Sequence, residues 1–519
     1  MRDLVVGIDS STTATKAIAW NHYGKPVAEG RAAIPLSNPH PSYFEQDPKD
    51  WWGSTATALK QLMVAIDPKR IAGIAISNQR ETFALFNNAG DAIRPGMVWL
   101  DDRARSQQHA FGVKFGADRI RAVTGKPLDV IPCLYRMIWL GEHEPEALAR
   151  AERFAEVHAY LTFRLTGQWL TSTAAADPTG MLDMERGEWS EEVLKAAGIP
   201  LHLFPPLRRP GSFLAEISEA AAAVTGLEPG IPVIAAGGDG QCAGTGAGVL
   251  AAGRGYINLG TAIVAGTYGK TYAHDLGFRT ETAIADEGYI FETCIRSGTF
   301  LIDWMVREMM NVAPADRAAF LAAIETEASA SPVGAGGVML LPYWQGSMTP
   351  HWDSAARGVM AGFSGSTRRG DVYRALLEGI SLDQAAALKA AIAATGRPVG
   401  RFQAIGGGAA SDLFLQITAD TLDRPIDRSD AKEASSLGAA IAAARGIGWF
   451  KTFDEASVAM VGRASTTFMP KQQNVVAYRA LAEVYDDLWP LLGSWNRRRA
   501  DIVAKLEAEA VTSSSQRKA

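Results

Sequence analysis

Asp9-Ser10-Ser11-Thr12-Thr13-Ala14-Thr15-Lys16 gathers in one octet several groups that phosphoryl transfer needs. That chemistry calls for fixed dipoles and cations around the phosphates, a metal ion, and a base for the attacking hydroxyl. Small residues let turn N–H groups point at phosphate oxygens, threonine hydroxyls add donors, and Lys16 adds a cation. Asp9 offers a carboxylate to a hydrated Mg2+, which keeps several waters and takes few protein ligands. The same octet is equally an ordinary hairpin turn, since Ser, Thr and Asp are common turn residues. Gly406-Gly407-Gly408-Ala409-Ala410-Ser411 is a second candidate. Its glycines admit a ligand closely and the helix start behind it favours an anion, although a structural turn has the same composition. Its spacing is not that of the GxGxxG dinucleotide fingerprint.

Asp239 lies within Gly237-Gly238-Asp239-Gly240, after an apolar run. A carboxylate with glycine neighbours can sit in a cleft and accept the proton of a substrate hydroxyl; Gly-Asp-Gly is also a plain turn signature. Arg80-Glu81 sets a guanidinium fork beside a carboxylate, donors and acceptors that suit a polyhydroxylated molecule or a surface ion pair. Trp99-Leu100-Asp101-Asp102-Arg103 supplies an aromatic wall with polar groups, unless Asp101 or Asp102 caps the helix that follows.

These residues need elements to hold them. Leu4–Ile8 and Ala17–Trp20 are apolar runs flanking the octet, so a β-hairpin is predicted. Asp47-Pro48 opens a helix running to about Ile66, with Trp52, Leu59, Leu62 and Met63 on one face. Ile71–Ile76 and Ile231–Ala235 read as buried strands leading into Arg80-Glu81 and Asp239. Gly255–Gly269 repeats the first hairpin's pattern, which suggests a duplicated architecture with a cleft between lobes. Asp371–Thr395 is a helix stopped by Gly396, Arg401–Ile405 a strand, and Ser411–Asp420 a helix. Glu433–Arg445 is a helix dense in Ala, Ser and Gly, which lets backbones approach closely. The expected division is 1–244, 245–495 and a charged tail, 496–519, extending as a helix.

A chain of 519 residues exceeds what one core serves, so two or three domains are expected. With 47% hydrophobic and 21% charged residues it has the composition of an ordinary soluble globular protein. A net charge of -5 argues against nucleic-acid or membrane-surface partners, which call for a basic face. Cys133, Cys242 and Cys294 are scattered and show neither a disulfide framework nor metal-ligand spacing. No apolar run is long enough to span a bilayer, and Met1-Arg2-Asp3 leads directly into the first strand, so a cytoplasmic setting is expected.

Taken in order, these stretches resemble the FGGY carbohydrate kinase family, which includes xylulokinases, glycerol kinases, gluconokinases and autoinducer-2 kinases. The resemblance runs from Val6 to about Trp489. It is carried by GIDSSTTATKAI, SNQRETFALFNNAG at Ser77–Gly90, WLDDRA at Trp99–Ala104, GGDGQCAGTGAG at Gly237–Gly248, LGT at Leu259–Thr261, GGGAASDLFLQITAD and EASSLGAAIAA. It implies two actin-like (ribonuclease H-like) α/β domains with ATP and a sugar in the cleft. By matching motifs, Asp9, Thr12, Thr13 and Lys16 fall in the first phosphate loop, and Gly260 and Thr261 in the second. Gly298 matches a further nucleotide-contacting glycine, and Gly407 and Ser411 lie in the adenosine segment. Asp239 falls at the family's catalytic base, with Gln241 beside it; Asp9 and Asp239 are the carboxylates open to Mg2+. Arg80, Glu81, Trp99, Asp101, Asp239 and Gln241 fall to the acceptor. Ser11 stands where the family usually has glycine, which would strain it if the turn demands positive φ.

The acceptor is less defined. Arg80-Glu81 resembles glycerol kinases and replaces the xylulokinase Met-His pair, whereas Ile131 stands where glycerol kinases present a tyrosine. The Trp99–Arg103 stretch and the block spacing resemble xylulokinases, and autoinducer-2 kinases share the Arg-Glu. The reading is ATP-dependent phosphorylation of a small sugar or polyol, best a ketopentose such as xylulose, with glycerol, erythritol and the autoinducer-2 precursor as alternatives. A sugar-sensing protein on the same fold and an actin- or chaperone-type ATPase are the competing classes. The sequence leaves oligomeric state open, a homodimer included.

Overall fold

The computed structural model describes residues 2–285, 287–429, 433–462 and 464–516; Met1 and the end of the expected tail, 517–519, lie outside the described residues. Two large sheets dominate. The first contains β1 (Leu4–Ser10), β2 (Ala14–Asn21), β3 (Pro26–Ala33), β4 (Ile71–Asn78), β5 (Phe213–Glu216) and β6 (Pro232–Gly238), in the order β5-β6-β4-β1-β2-β3. β1 and β2 form the predicted hairpin, paired from Leu4↔Asn21 to Ser10↔Thr15. β4 runs parallel to β1 and to β6, and every one of its residues is buried, as a parallel strand covered on both faces requires.

The second sheet contains β7 (Arg254–Leu259), β8 (Ile263–Gly269), β9 (Arg279–Thr282), β10 (Tyr289–Ile295), β11 (Arg401–Ile405), β12 (Ile426–Arg428) and β13 (Thr466–Phe468). Its order is β9-β10-β8-β7-β11-β12-β13. Again a hairpin, β7–β8, has an antiparallel strand outside it and parallel strands on its other flank. The duplication suspected from two similar hairpins is thus a repeat of sheet topology. A smaller sheet, Ser37–His40, Tyr43–Gln46, Gly96–Met97, Phe83–Phe86 and Arg153–Glu156, carries the Trp99 loop.

Helices cover the sheets. α1 (Pro48–Ala65) starts at Asp47, whose side chain accepts from the Lys49 N–H at 2.9 Å. It buries Trp51, Trp52, Leu59 and Leu62 against Leu4, Val6 and Ile8. α2 (Asp239–Gly246) begins at the candidate base itself, α3 (Arg369–Thr395) ends at a left-handed Gly396, and α4 (Asp412–Leu422) follows the glycine triplet. α5 (Ala434–Gly446) comes late in the chain yet packs its Leu437, Ala440 and Ile441 with Val5, Ile18, Ala75 and Ile234 of the first sheet. Its small residues make that possible: a Cβ on Gly438 would sit 1.8 Å from the Cys242 carbonyl oxygen, and one on Gly7 2.0 Å from that of Ser436. The tail from Asn496 continues a helix already begun at Gln472, α6 (Gln472–Gln516).

Candidate active site

The octet turns tightly between β1 and β2. Ser11 donates to the Ala14 carbonyl through both its N–H (3.0 Å) and its Oγ (2.9 Å). Ser11 does not have positive φ, so the expected strain is absent; a side-chain hydrogen bond closes the turn instead. Thr13 is exposed. The Thr12 hydroxyl accepts from the Trp99 indole N–H at 2.8 Å, which ties the phosphate-type turn to the aromatic wall. Lys16 is held by Glu433, at 2.6 and 2.7 Å to its two oxygens. Asp9 accepts from the Ser77 hydroxyl at 3.0 Å; burial, with the neighbouring Asp239 charge, pushes its carboxyl up to about 7.

Asp239 caps the inner end of β6 and starts α2, where its Oδ1 accepts from the Gly240 N–H at 2.8 Å and lies 3.2 Å from Arg80 Nε. Its side chain remains 42% exposed. Enclosure raises its carboxyl above the usual range and Arg80 opposes that rise. The glycines around Asp239 serve Arg80: a Cβ on Gly238 would lie 2.5 Å from Arg80 Cγ, and one on Gly240 3.0 Å from Arg80 Cζ.

Arg80-Glu81 is no surface ion pair. Both residues are buried, and each finds its partner in the other lobe. Arg80 Nη1 reaches both oxygens of Glu292 at 3.1 Å, and Glu81 Oε1 accepts from Arg279 Nη1 at 2.9 Å. Among the described residues, Arg80 Nη2 and Glu81 Oε2 make no hydrogen bond. Burial pushes the Glu81 carboxyl up to about 7 against the pull of Arg279 and Arg80. Glu81 also adopts a left-handed backbone, φ 53°, which non-glycine residues hold only where surroundings enforce it. The network continues through Glu281 to Lys126 and Asp177. Burial raises the Asp177 carboxyl, whereas Lys126, a hydrogen bond with Asp177 and Arg279 lower that of Glu281 despite its burial. Gln241 donates to the Ala174 carbonyl at 3.0 Å, and its Oε1 is buried without a partner among the described residues.

Trp99 stands beside Ile131, Cys294 and Met348, so it closes an apolar wall made by both lobes. Asp101 does not line that wall. It is fully buried, chelated by Arg103 at 2.7 and 2.8 Å, and accepts from the Phe44 N–H at 2.8 Å; it braces the loop. Neither it nor Asp102 caps the next helix, whose first turn has no side-chain cap.

In the second lobe the corresponding hairpin turn presents Gly260-Thr261. It is stitched to Gly298-Thr299 by Gly298 N–H to Thr261 O at 2.8 Å and Thr299 N–H to Gly260 O at 2.9 Å. The glycine triplet packs against the same turn: a Cβ on Gly408 would sit 2.9 Å from the Leu259 oxygen, whereas one on Gly407 would meet nothing within 4 Å. Gly407 thus faces open space. The Ser411 hydroxyl is committed to capping α4 through the Phe414 N–H at 3.1 Å.

Arg279, Glu281, Glu292, Lys126 and Asp177 escaped the reading of the sequence. A signal was present: Arg279 and Glu281 alternate along β9 on one face, and Arg279 pairs with Glu292 across β9–β10. Charges at period two in otherwise apolar strands mark a buried polar seam.

Two sheets of one plan, each with a polar turn at its hairpin and with carboxylates and arginines between them, define the actin-like, two-lobed ATPase fold. Profiles of the FGGY family of carbohydrate kinases match residues 4–246 with the N-terminal domain and 242–447 with the C-terminal domain. Xylulose kinase of Bacillus subtilis is 31% identical over 93% of this chain and 96% of its own length. Glycerol kinase of Methylorubrum extorquens is 30% identical over 88% and 92%. The crystal structure of xylulose kinase from Rhodospirillum rubrum superposes with a TM-score of 0.89 at 26% identity, covering 95% of this chain and 100% of that one. The chain belongs to the FGGY family of carbohydrate kinases, and it is a sugar-phosphorylating enzyme that uses ATP. Among the described residues no helix is long and apolar enough to cross a membrane.

Proposed function

We propose that this kinase transfers the γ-phosphoryl group of ATP to a hydroxyl of an open-chain ketopentose such as xylulose. Arg80 Nη2 and Glu81 Oε2, which make no hydrogen bond among the described residues beside a half-open Asp239, support a polyhydroxylated acceptor. The observation that carries the ketopentose is the likeness to xylulose kinases along nearly the whole chain. In this reading Asp239 accepts the proton of the attacking hydroxyl. Arg80 Nη2 and Glu81 Oε2 hold hydroxyls that are not phosphorylated, Trp99 walls the carbon chain, and Gln241 supports the acceptor from α2. Thr12, Thr13, Lys16, Gly260, Thr261 and Gly298 surround the phosphates, and Gly407 gives the adenosine room. Asp101 and Ser411 act through the loops they brace.

Asp9 and Asp239 suit Mg2+. They are near enough that the Asp239 charge raises the Asp9 carboxyl, a repulsion a hydrated cation relieves. When bound, the ion neutralises charge on the β- and γ-phosphates. Free, buried Cys133, Cys242 and Cys294 support a reducing, cytoplasmic setting.

A second reading, a short polyol such as glycerol or erythritol, is favoured by Arg80-Glu81, which stands in place of the Met-His pair of xylulokinases. An ADP-release screen across xylulose, ribulose, glycerol, erythritol, gluconate and the autoinducer-2 precursor decides between them. Asp239→Asn keeps acceptors for Arg80 and the Gly240 N–H, so it should lower turnover by about 10²–10⁴-fold with ATP binding nearly intact. Near-normal turnover would remove Asp239 from the chemistry, and sugar binding without ADP release would indicate a sensor.

A further inference from the structure

We infer that Arg279 and Glu292, contributed by the C-terminal lobe, are positioning residues for the acceptor, setting Glu81 and Arg80 in the geometry that recognises its hydroxyls. The inference rests on the proposed acceptor site but concerns residues that do not touch the reacting atoms.

Glu292 is fully buried and joins two guanidiniums: both its oxygens lie 3.1 Å from Arg80 Nη1, and Oε1 accepts from Arg279 Nε at 2.6 Å. Tyr256 donates its hydroxyl to Oε2 at 3.2 Å, which fixes the carboxylate from a third side. Arg279 in turn is the ion-pair partner of Glu81 among the described residues. Glu81 is held at a strained left-handed backbone by two clamps: its carbonyl accepts from Arg136 Nη2 at 2.5 Å, and its Oε1 from Arg279. Without Arg279 the buried Glu81 carboxylate would lose its ion-pair contact and keep only the more distant Arg80 charge, which favours its leaving the site. With it, one oxygen is pinned and the other is left open.

Each recognition group on the N-terminal lobe is therefore set by a side chain from β9 or β10. The acceptor site is complete only when both lobes contribute. A cross-brace that merely held the lobes together would weaken nucleotide and acceptor use alike. Positioning residues affect the acceptor alone.

The test uses the full chain and whichever acceptor the wild type phosphorylates. If the wild type phosphorylates none, the reading of function fails before this inference is reached. Arg279→Met should raise the acceptor KM about 10- to 100-fold, the range expected for losing a charge-assisted hydrogen bond. The ATP KM should stay within about threefold, and Arg279→Lys, which keeps the charge but not the fork that bridges Glu81 and Glu292, should restore only part of the loss. Glu292→Gln removes the shared charge and sets an amide NH2 against donors, since both Glu292 oxygens accept, and should show the same acceptor-selective effect; it carries the test if Arg279→Met does not fold. An unchanged acceptor KM, or equal changes in the acceptor and ATP parameters, overturns the inference.

Discussion

Replacing Gly238 with alanine probes the acceptor site without removing any functional group. The backbone there, φ -63° and ψ 154°, is open to any residue, so the effect comes from space alone. The new Cβ would lie 2.4 Å from Gln241 Oε1, 2.5 Å from Arg80 Cγ and 2.6 Å from Arg80 Cδ. Carbon–carbon contacts settle at roughly 3.5 Å or more, so the Arg80 stem must move by about 1 Å. It has little freedom to do so, because Nη1 is tied to Glu292 at 3.1 Å and Nε to Asp239 at 3.2 Å. Overpacking of this kind costs about 1–3 kcal/mol of stability. A displacement of about 1 Å at a reacting constellation costs about 10²-fold in rate. Gly238→Ala should therefore lower kcat/KM for the acceptor by about 10²-fold, with a modest fall in Tm and a near-normal ATP KM. Gly240→Ala meets Arg80 less severely, at 3.0 Å, and should lose less. Steady-state kinetics with both substrates varied is the assay. A Gly238→Ala enzyme with wild-type acceptor kcat/KM, or one impaired equally toward ATP, would refute the argument.

The other expectations are briefer. Glu433→Gln frees Lys16 from a partly exposed ion pair, so the ATP KM should fall by about two- to fivefold; a rise would mean that Glu433 orients Lys16 for phosphate. Gly438→Ala drives a methyl into the Cys242 carbonyl, which belongs to a helix backbone and cannot yield; thermal denaturation should show a loss of about 3 kcal/mol or more. Glu81, pushed up to about 7, gains its proton on mild acidification. Acceptor binding measured by calorimetry without nucleotide should weaken as pH falls through about 7, and Glu81→Gln should abolish that dependence.

Much of the scaffold was legible because its signals are local. The Asp47-Pro48 cap, the Gly396 stop and the apolar runs on either side of Asp9 each act within a few residues, and the structure places them as predicted. The small residues of α5 were legible as a close-approach surface, but not its destination, since packing a late helix on the first sheet is a property of the folded chain. Asp101 and Ser411 show the converse limit. Their types suit ligand binding, yet Arg103 beside the one and the Phe414 N–H of α4 beside the other already bond them. The Arg80–Glu292 pair spans 212 residues of sequence, a separation at which no periodicity or spacing carries information.

That distant pairing bears on why the acceptor remains open at family level. Burying charge is costly unless it is paired, and here Arg80, Arg279 and Lys126 are interleaved with Glu81, Asp239, Glu281, Glu292 and Asp177. The desolvation of Arg80 and Glu81 is thus met before any acceptor arrives, leaving Nη2 and Oε2 as fixed points for hydroxyls. A site of this kind discriminates by absence. An acceptor that fails to place a hydroxyl against either atom leaves a buried polar group unpaired, and such mismatches are rejected far more strongly than an extra methylene. On the proposed function, carbon-chain length, read by the apolar wall of Trp99, Ile131 and Met348, is the weaker filter. On that same proposed function, the choice between a ketopentose and a shorter polyol therefore turns on which acceptor satisfies Arg80 and Glu81 together while presenting its terminal hydroxyl to Asp239.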